Sequence, residues 1–426
     1  MLNQGGYELM QNKVSTDTRA DRIAVLLPSL EGGGAERSML NLVKAFVAQG
    51  RTVDLILCKA QGAYLSEVPD GATLIVLEAT GGLRTRLIAA LGNFRNVLAL
   101  LRPVLLASKI APEISRIRSL QQYVIKGRPD VILSALPYAN LVAIWAKQMS
   151  GSQVPVIVSE RNALSTYCSA PSNFRKWRWR YLPELVRRTY PGADTVVAVS
   201  THVADDLTIT IGLNHPSVTA LYNPVVDDTL RASAQQALEH TWFAPDAVPV
   251  ILGVGRLTEQ KDFSTLMRAF ACVRAKRAAR LVILGEGRLR EDLEDLASKL
   301  GIQADVEMPG FVENPFQYMA RASVLVLSSE YEGLPGVLIQ ALACGCPVVS
   351  TDCPGGSAEI LADGKYGALV DVGDADSMAL AILAELDNPT ARDILLQRAE
   401  DFSVERAANN YLAVLDSAVE RAAGRQ

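Results

Sequence analysis

Short apolar runs alternate with helical segments along this sequence, and the alternation restricts the chain to an α/β fold. Residues 22–28 and 52–58 are nearly continuous apolar runs, which is typical of strands buried on both faces of a sheet. Between them lie a glycine-rich loop at 29–36 and helical spacing over 37–49. A strand, a loop, a helix and a second strand in this order form the unit of a doubly wound parallel sheet.

The alternation breaks near 222–226 and restarts at 249, which divides the chain into two halves. A length of 426 residues suits two domains. Further strands are predicted in both halves, at 129–135, 154–159, 195–200, 249–257, 280–285, 306–310, 324–327, 347–351 and 367–370. We therefore predict two doubly wound domains, at 22–225 and 226–402, behind a polar and flexible tail at 1–21.

Charge is distributed unequally between the halves. Residues 1–226 carry 24 Lys and Arg against 16 Asp and Glu, whereas residues 227–426 carry 18 against 30. An insertion at 79–120 interrupts the first domain, and its first part, 79–112, contains five cations and no acid, with Leu, Ile and Val at helical intervals. This pattern predicts a basic amphipathic helix, which suits an anionic membrane surface. An ordinary core helix with a solvated face remains the alternative.

The sequence also argues against several functional classes. No apolar run approaches the roughly 18 residues of a membrane span. The six cysteines are not spaced as zinc ligands, and the loop at 29–36 lacks the Gly-x-Gly-x-x-Gly spacing of dinucleotide-binding proteins. Aromatic and basic residues alternate at 174–181, which would also suit single-stranded nucleic acid, but the pI of 5.6 and the absence of a nucleic-acid-binding motif oppose that interpretation.

The most informative stretch is 327–356, where a short strand leads into an acidic turn and a glycine-rich helix start. Glu332 is followed by Gly333-Leu334-Pro335-Gly336, and the predicted helix then carries Gln340. Glycine permits close approach of a ligand to the backbone, and the free N–H groups of a helix start attract anions such as phosphate. A carboxylate beside such an anion is better suited to hydroxyl groups or a developing positive charge.

This stretch resembles the donor site of family 4 glycosyltransferases, whose pattern is Glu-x7-Glu; here the second Glu is Gln340. A second resemblance is Gly255-Arg256-Leu with Lys261, since the family uses the Arg and Lys of Gly-Arg-Leu-x4-Lys to clamp the donor's phosphates. The resemblance implies the GT-B architecture of two Rossmann-like domains facing a cleft. It also implies that a terminal helix, at 403–426, returns to the first domain.

The resemblance assigns roles to specific residues. It implies that Arg256, Lys261 and Glu332 are catalytic. It places the donor against Gly33, Gly34, Gly255, Phe311, Val312, Gly333, Leu334, Pro335, Gly336 and Gln340. On the acceptor side, Glu160, Arg161 and Asn162 are candidates by position alone, because they follow a predicted strand in the first domain.

The function implied is retaining, metal-independent transfer of a hexosyl-type sugar from a nucleotide-sugar, with UDP expected, to an acceptor hydroxyl. No cofactor and no metal site are expected. The basic first half suggests a lipid-linked saccharide acceptor in cell-surface polysaccharide assembly, with the protein peripheral on the inner face of the cell membrane. Because Gln340 replaces a carboxylate, a non-catalytic sugar-nucleotide-binding subunit and a GT-B nucleotide-sugar epimerase remain alternatives.

Overall fold

A computed structural model describes residues 19–244 and 247–425, so nearly all of the predicted tail at 1–21 lies outside the described residues. The first domain contains a seven-stranded sheet whose hydrogen-bonded pairs are all parallel, in the order β3-β2-β1-β4-β5-β6-β7. Its strands are β1 Arg22–Leu27, β2 Thr52–Leu57, β3 Ala72–Val76, β4 Val131–Ala135, β5 Val156–Glu160, β6 Thr195–Ala198 and β7 Val218–Ala220.

The second domain repeats this topology with a six-stranded parallel sheet in the order β10-β9-β8-β11-β12-β13. Its strands are β8 Val250–Val254, β9 Arg280–Leu284, β10 Val306–Gly310, β11 Val324–Leu327, β12 Val348–Thr351 and β13 Ala368–Val370. In each sheet the chain moves outward from a central strand and then reverses, so both domains are doubly wound and Rossmann-like.

Helices connect the parallel strands and cover the faces of both sheets. In the first domain they are α1 Gly34–Ala48, α2 Gly82–Gly92, α3 Val97–Leu100, α4 Ile117–Gly127, α5 Pro137–Ser150, α6 Leu164–Ser169, α7 Pro171–Phe174, α8 Trp177–Arg180, α9 Leu182–Thr189 and α10 Thr201–Asp205. The remainder are α11 Asp228–Ala234, α12 Phe263–Lys276, α13 Arg290–Lys299, α14 Phe316–Met319, α15 Gly336–Cys344, α16 Ser357–Leu361, α17 Ala375–Asp387, α18 Arg392–Ala399 and α19 Val404–Ala423.

The predicted single amphipathic helix at 79–112 is wrong, because the segment folds as α2, a turn, α3 and one π-helical turn at Leu101–Leu105. Helix α2 ends at Gly92, and Pro103 lies in the π-helical turn, where it has no N–H to donate. The Arg86 guanidinium donates hydrogen bonds to the carbonyl oxygens of Val104 and Ala107, which holds the segment folded back on itself.

The carboxyl-terminal helix α19 packs against the first domain rather than the second. Its buried side chains include Tyr411 and Leu415, which belong to the same apolar cluster as Val25 of β1 and Phe46 of α1. The Asp416 carboxylate accepts a hydrogen bond from Arg51 at 2.9 Å. The chain therefore crosses between the domains twice, near 222–226 and again near 403.

Candidate active site between the two sheets

An ion pair joins the loop after β8 to the loop after β11 in the second domain. The Lys261 Nζ atom donates a hydrogen bond to Glu332 Oε1 at 2.5 Å, and Ser329 Oγ donates to the same oxygen at 2.7 Å. The Glu332 side chain is largely buried. Among the described residues, Glu332 Oε2 has no hydrogen-bond partner, so this oxygen is available to a ligand.

Strand order explains why these residues meet, although they are distant in the sequence. Lys261 follows β8 and Glu332 follows β11, and these strands are neighbours whose carboxyl ends meet at the same edge of the sheet. The two loops also bind each other directly. Ser328 Oγ donates to the Lys261 carbonyl oxygen at 2.8 Å, and Gln260 Nε2 donates to the Tyr331 carbonyl oxygen at 2.9 Å. The protein itself thus holds the Lys261 and Glu332 side chains in place.

Arg256 lies on the same edge and is exposed, with no salt bridge among the residues that the structure describes. The charge of Arg256 acts on Tyr167 in the first domain. Burial is the main cause that raises the pKa of Tyr167, and the positive charge of Arg256 lowers that pKa. Arg256 therefore lies close enough to Tyr167 of helix α6 for its positive charge to act on that side chain.

Helix α15 begins at Gly336 beside this cationic edge, with Pro335 as its N-cap. No side chain caps the helix, so its first N–H groups and the positive end of its dipole remain available to an anion. Gln340, on the second turn, is partly exposed and makes no side-chain hydrogen bond within the described part of the chain. Its amide can both donate and accept, as sugar hydroxyls require.

A contact between the domains requires glycine at position 333. A Cβ atom there would lie 1.9 Å from the Arg161 carbonyl oxygen, at the carboxyl end of β5. The Ser200 hydroxyl of the first domain also donates to the Gly333 carbonyl oxygen, at 3.3 Å. The donor-type loop thus rests on the first domain through backbone atoms, and this sets the separation across the cleft.

The first domain contributes a pocket of about 410 Å³ on its side of the cleft. We call it the acceptor-side pocket. It contains the predicted residues Glu160, Arg161 and Asn162, and its other walls carry aromatic and acidic side chains, namely Tyr138, Tyr167, Trp179, Glu31, Glu36 and Glu113. Aromatic faces and carboxylates are suited to the apolar faces and hydroxyls of a saccharide. The aromatic residues of this pocket were not predicted as site residues.

Glu160 itself is fully buried at the base of this pocket. Burial is the main cause that raises its pKa to about 7, and hydrogen bonds from Tyr190 and Asn140 act in the opposite direction. Arg161 is also buried, and its Nη1 atom bonds to Ser159 and to Tyr411 of α19. These two side chains are therefore held by the protein, and Asn162 is the more accessible of the three candidates.

The remaining donor-side candidates lie at two other strand ends. Phe311 follows β10 and is 80% exposed, beside the partly buried Val312. Gly33 and Gly34 are exposed at the start of α1, in the loop after β1. Within residues 19–244 and 247–425, no group of three or more His, Cys, Asp or Glu side chains is arranged to hold a metal ion.

Two doubly wound sheets whose carboxyl edges meet at a cleft make up the GT-B fold of glycosyltransferases. Comparison with solved structures agrees: Anabaena Alr3699/HepE in complex with UDP superposes with a TM-score of 0.71 at 19% identity, covering 93% of this chain and 100% of that one. The lipopolysaccharide outer core galactosyltransferase WaaB gives 0.67 at 19% identity, covering 92% and 98%. The predicted fold is confirmed.

The chain belongs to glycosyltransferase family 4. The family models described as "Glycosyltransferase Family 4" and "Glycosyl transferases group 1" match residues 32–229 and 235–402. A relative from Campylobacter jejuni is 29% identical over 89% of this chain and 94% of its own length. It is named N-acetylgalactosamine-N,N'-diacetylbacillosaminyl-diphospho-undecaprenol 4-alpha-N-acetylgalactosaminyltransferase. The resemblance is thereby confirmed, and the protein is a glycosyltransferase.

A second relative from the same organism is 26% identical over 92% of this chain and 98% of its own length. Its name describes an alpha-1,4-N-acetyl-D-galactosaminyltransferase acting on a diNAcBac-PP-undecaprenol saccharide. Both relatives thus act on saccharides linked to undecaprenol through a diphosphate. In the described part of this chain, no helix is both long and apolar enough to cross a membrane.

Replacement of Gly333 tests the contact between the domains. We expect Gly333→Ala to lower the free energy of unfolding by about 1–3 kcal/mol, because the new methyl group must displace the Arg161 carbonyl. Gly336→Ala is the matched control, since no atom lies within 4 Å of a Cβ at that position. Urea unfolding of the three proteins measures the difference. Equal stability of Gly333→Ala and Gly336→Ala would contradict the contact.

Glu160 predicts a pH dependence of stability. Its pKa is about 7 in the folded protein against an ordinary 4.5, so the folded state binds the proton more tightly, and this stabilisation is lost as the pH rises through 7. Between pH 5 and pH 8 we expect the natural protein to lose about 2–3 kcal/mol more than Glu160→Gln. Urea unfolding at each pH measures this, with Glu36→Gln as a control that keeps the natural slope. Parallel curves for the natural protein and Glu160→Gln would refute the assignment.

Proposed function

We propose that this glycosyltransferase moves a hexosyl-type sugar from a UDP-sugar to a hydroxyl of a polyprenyl-linked saccharide, with retention at the anomeric carbon. The observation that carries the proposal is the Lys261–Glu332 pair, held beside the unpaired Arg256 and the start of α15. Cations and helix N–H groups suit the donor's diphosphate, and the free Glu332 Oε2 suits a sugar hydroxyl.

In this reaction the bond between the anomeric carbon and the diphosphate oxygen breaks as the acceptor oxygen bonds to the same face of that carbon. The departing phosphate takes the proton of the acceptor hydroxyl, so the protein supplies no nucleophile. Negative charge grows on the leaving group, and Arg256 and Lys261 bind that charge more tightly in the transition state than in the donor. These two cations take the place of a metal ion in the proposal.

The acceptor assignment rests on two supports. The Campylobacter jejuni relatives are named for undecaprenol-linked substrates. In this chain, the insertion presents large apolar side chains to solvent beside its cations, among them Leu83, Leu87, Leu91 and Leu98. Exposed apolar side chains mixed with Lys and Arg are suited to the headgroup region of an anionic bilayer. We infer peripheral attachment to the inner face of the cell membrane, in the assembly of a cell-surface polysaccharide.

Donor binding and hydrolysis test the proposal. The natural protein, Lys261→Ala and Gln340→Glu are titrated with UDP-, GDP- and ADP-sugars, and release of free sugar is followed. We expect the natural protein to prefer a UDP-sugar and to hydrolyse it slowly. Lys261→Ala should weaken binding by about 10- to 100-fold, because one charge-assisted bond to phosphate is lost.

Lys299→Ala is the matched control, because Lys299 is an exposed lysine on α13 of the same domain without a salt bridge among the described residues. It should bind the donor as the natural protein does. Equal loss in Lys261→Ala and Lys299→Ala would contradict the donor site. Binding that occurs only in Gln340→Glu would instead identify a non-catalytic subunit.

A further inference from the structure

A second cavity, of about 660 Å³, lies between the insertion and the segment from α7 to α8. We call it the basic pocket. Its walls carry four cations and two exposed apolar side chains, which are Lys109, Arg175, Lys176, Arg178, Leu106 and Trp177. None of these residues belongs to the donor motifs, and none lines the acceptor-side pocket.

Carboxylates are scarce around the basic pocket, although burial raises the pKa of the Glu113 carboxyl in the neighbouring acceptor-side pocket and the Arg178 charge acts to lower that pKa. None of the four cations forms a salt bridge within 4 Å inside the described ranges, and the sequence has no acid at 79–112 or at 161–183. By contrast, Arg187 and Arg188, a few residues further on, are both paired with Glu184. Four positive charges around one cavity, none of them held in a salt bridge among the described residues, repel each other and favour a multiply charged anion.

The walls of the basic pocket are held in place by the surrounding structure. Helix α8 packs against the π-helical turn at Leu101–Leu105. The Arg102 Nη1 atom donates to the Tyr181 hydroxyl at 2.6 Å, and Arg86 binds the Ala107 carbonyl oxygen at 2.6 Å. The cavity is therefore formed by segments that are bound to each other in the absence of a ligand.

The basic pocket shares a wall with the acceptor-side pocket. Trp177 and Arg178 line the basic pocket, and the next residue, Trp179, lines the acceptor-side pocket. The Tyr138 hydroxyl, also in the acceptor-side pocket, donates to the Arg178 carbonyl oxygen at 2.5 Å. A molecule in the basic pocket could thus extend on one side toward the saccharide position.

Exposed apolar side chains also lie at and near the basic pocket. Leu106, on its rim, is 62% exposed, and Phe174, one residue before Arg175, is 45% exposed. Leu98, on the neighbouring helix α3, is 80% exposed. We call Leu98, Leu106 and Phe174 the apolar patch.

We propose that the basic pocket binds the diphosphate of a polyisoprenyl diphosphate-linked acceptor, with the isoprenoid on the apolar patch and the first sugar in the acceptor-side pocket. The proposal rests on the proposed function for its acceptor class. Its physical basis is charge complementarity, because a diphosphate provides several anionic oxygens for four cations. Neutral saccharide and neutral isoprenoid alone would leave those charges unpaired.

Binding of farnesyl diphosphate tests the proposal without requiring sugar transfer. The probe carries a diphosphate on a short isoprenoid, and its binding is followed through tryptophan fluorescence, since Trp177 lines the cavity. The natural protein is compared with the double variant Arg175→Gln/Lys176→Gln. The matched control is Arg187→Gln/Arg188→Gln, which removes the same charge from the same domain outside the pocket.

We expect the natural protein to bind farnesyl diphosphate more tightly than farnesyl monophosphate, and farnesol most weakly. The pocket variant should weaken farnesyl diphosphate binding at least about tenfold, and the control by less than about twofold. Equal binding of farnesol, or equal loss in both double variants, would overturn the proposal. Because Arg175 and Lys176 are exposed, we expect the pocket variant to fold, which circular dichroism checks.

Two further measurements distinguish a lipid diphosphate from a phospholipid headgroup and separate the basic pocket from the donor site. If the pocket bound phospholipid headgroups instead, the pocket variant would lose binding to phosphatidylglycerol vesicles and retain farnesyl diphosphate binding, which would refute the diphosphate assignment. UDP-sugar binding, measured in the same proteins, tests the proposed function independently. Farnesyl diphosphate binding without UDP-sugar binding would contradict the proposed donor and still support a diphosphate site in the basic pocket. UDP-sugar binding without farnesyl diphosphate binding would refute the proposed diphosphate site alone.

Discussion

The pairing of Lys261 with Glu332 is the interaction on which the rest of the proposed site depends. It forms because β8 and β11 are adjacent at the reversal of strand order, where the loops after both strands must meet. Hydrogen bonds between the loops hold both side chains in position. Lys261 binds one oxygen of the Glu332 carboxylate and leaves the other without a partner among the described residues, and the exposed Arg256 has no salt bridge there.

The first domain completes this site through contacts that are few and specific. The Gly333 backbone meets the Arg161 carbonyl, and helix α19 ties the end of the chain to β1 and α1. Donor-type loops, the acceptor-side pocket and the basic pocket then follow one another across the molecule. In the proposal, the two anionic diphosphates, of the nucleotide-sugar and of the lipid, meet cations in the donor-type loops and in the basic pocket, and the neutral saccharide meets the aromatic and carboxylate side chains of the acceptor-side pocket.

Much of the fold could be predicted from the sequence, because buried parallel strands are continuous apolar runs and glycines interrupt them at the loops. β3 was missed because it is an edge strand whose side chains are largely exposed, and β7 because it has only three residues. The prediction of one helix at 79–112 is wrong because the spacing of Leu residues does not show that Arg86 binds the backbone carbonyl oxygens of Val104 and Ala107. These hydrogen bonds hold the segment folded back on itself.

The motifs that resemble the family's donor site can be found in the sequence because each is compact, whereas the residues that line the acceptor-side pocket are spread along the chain. Tyr138, Tyr167 and Trp179 come from three different helices and meet only through tertiary packing. The same holds for the basic pocket, whose cations lie more than sixty residues apart in sequence, at Lys109 and at Arg175–Arg178. No local sequence pattern predicts that these side chains are close together, because only the tertiary fold brings them into contact.

The most direct test of retaining transfer is the configuration of the new glycosidic bond. The full-length protein would be incubated with a nucleotide α-sugar donor and a diphosphate-linked saccharide acceptor, and the anomeric proton of the product would be observed by NMR. An α-linked product is expected, because the acceptor oxygen attacks the face that the diphosphate leaves. A β-linked product would contradict the account, since it requires attack from the opposite face and a general base that the proposal does not include.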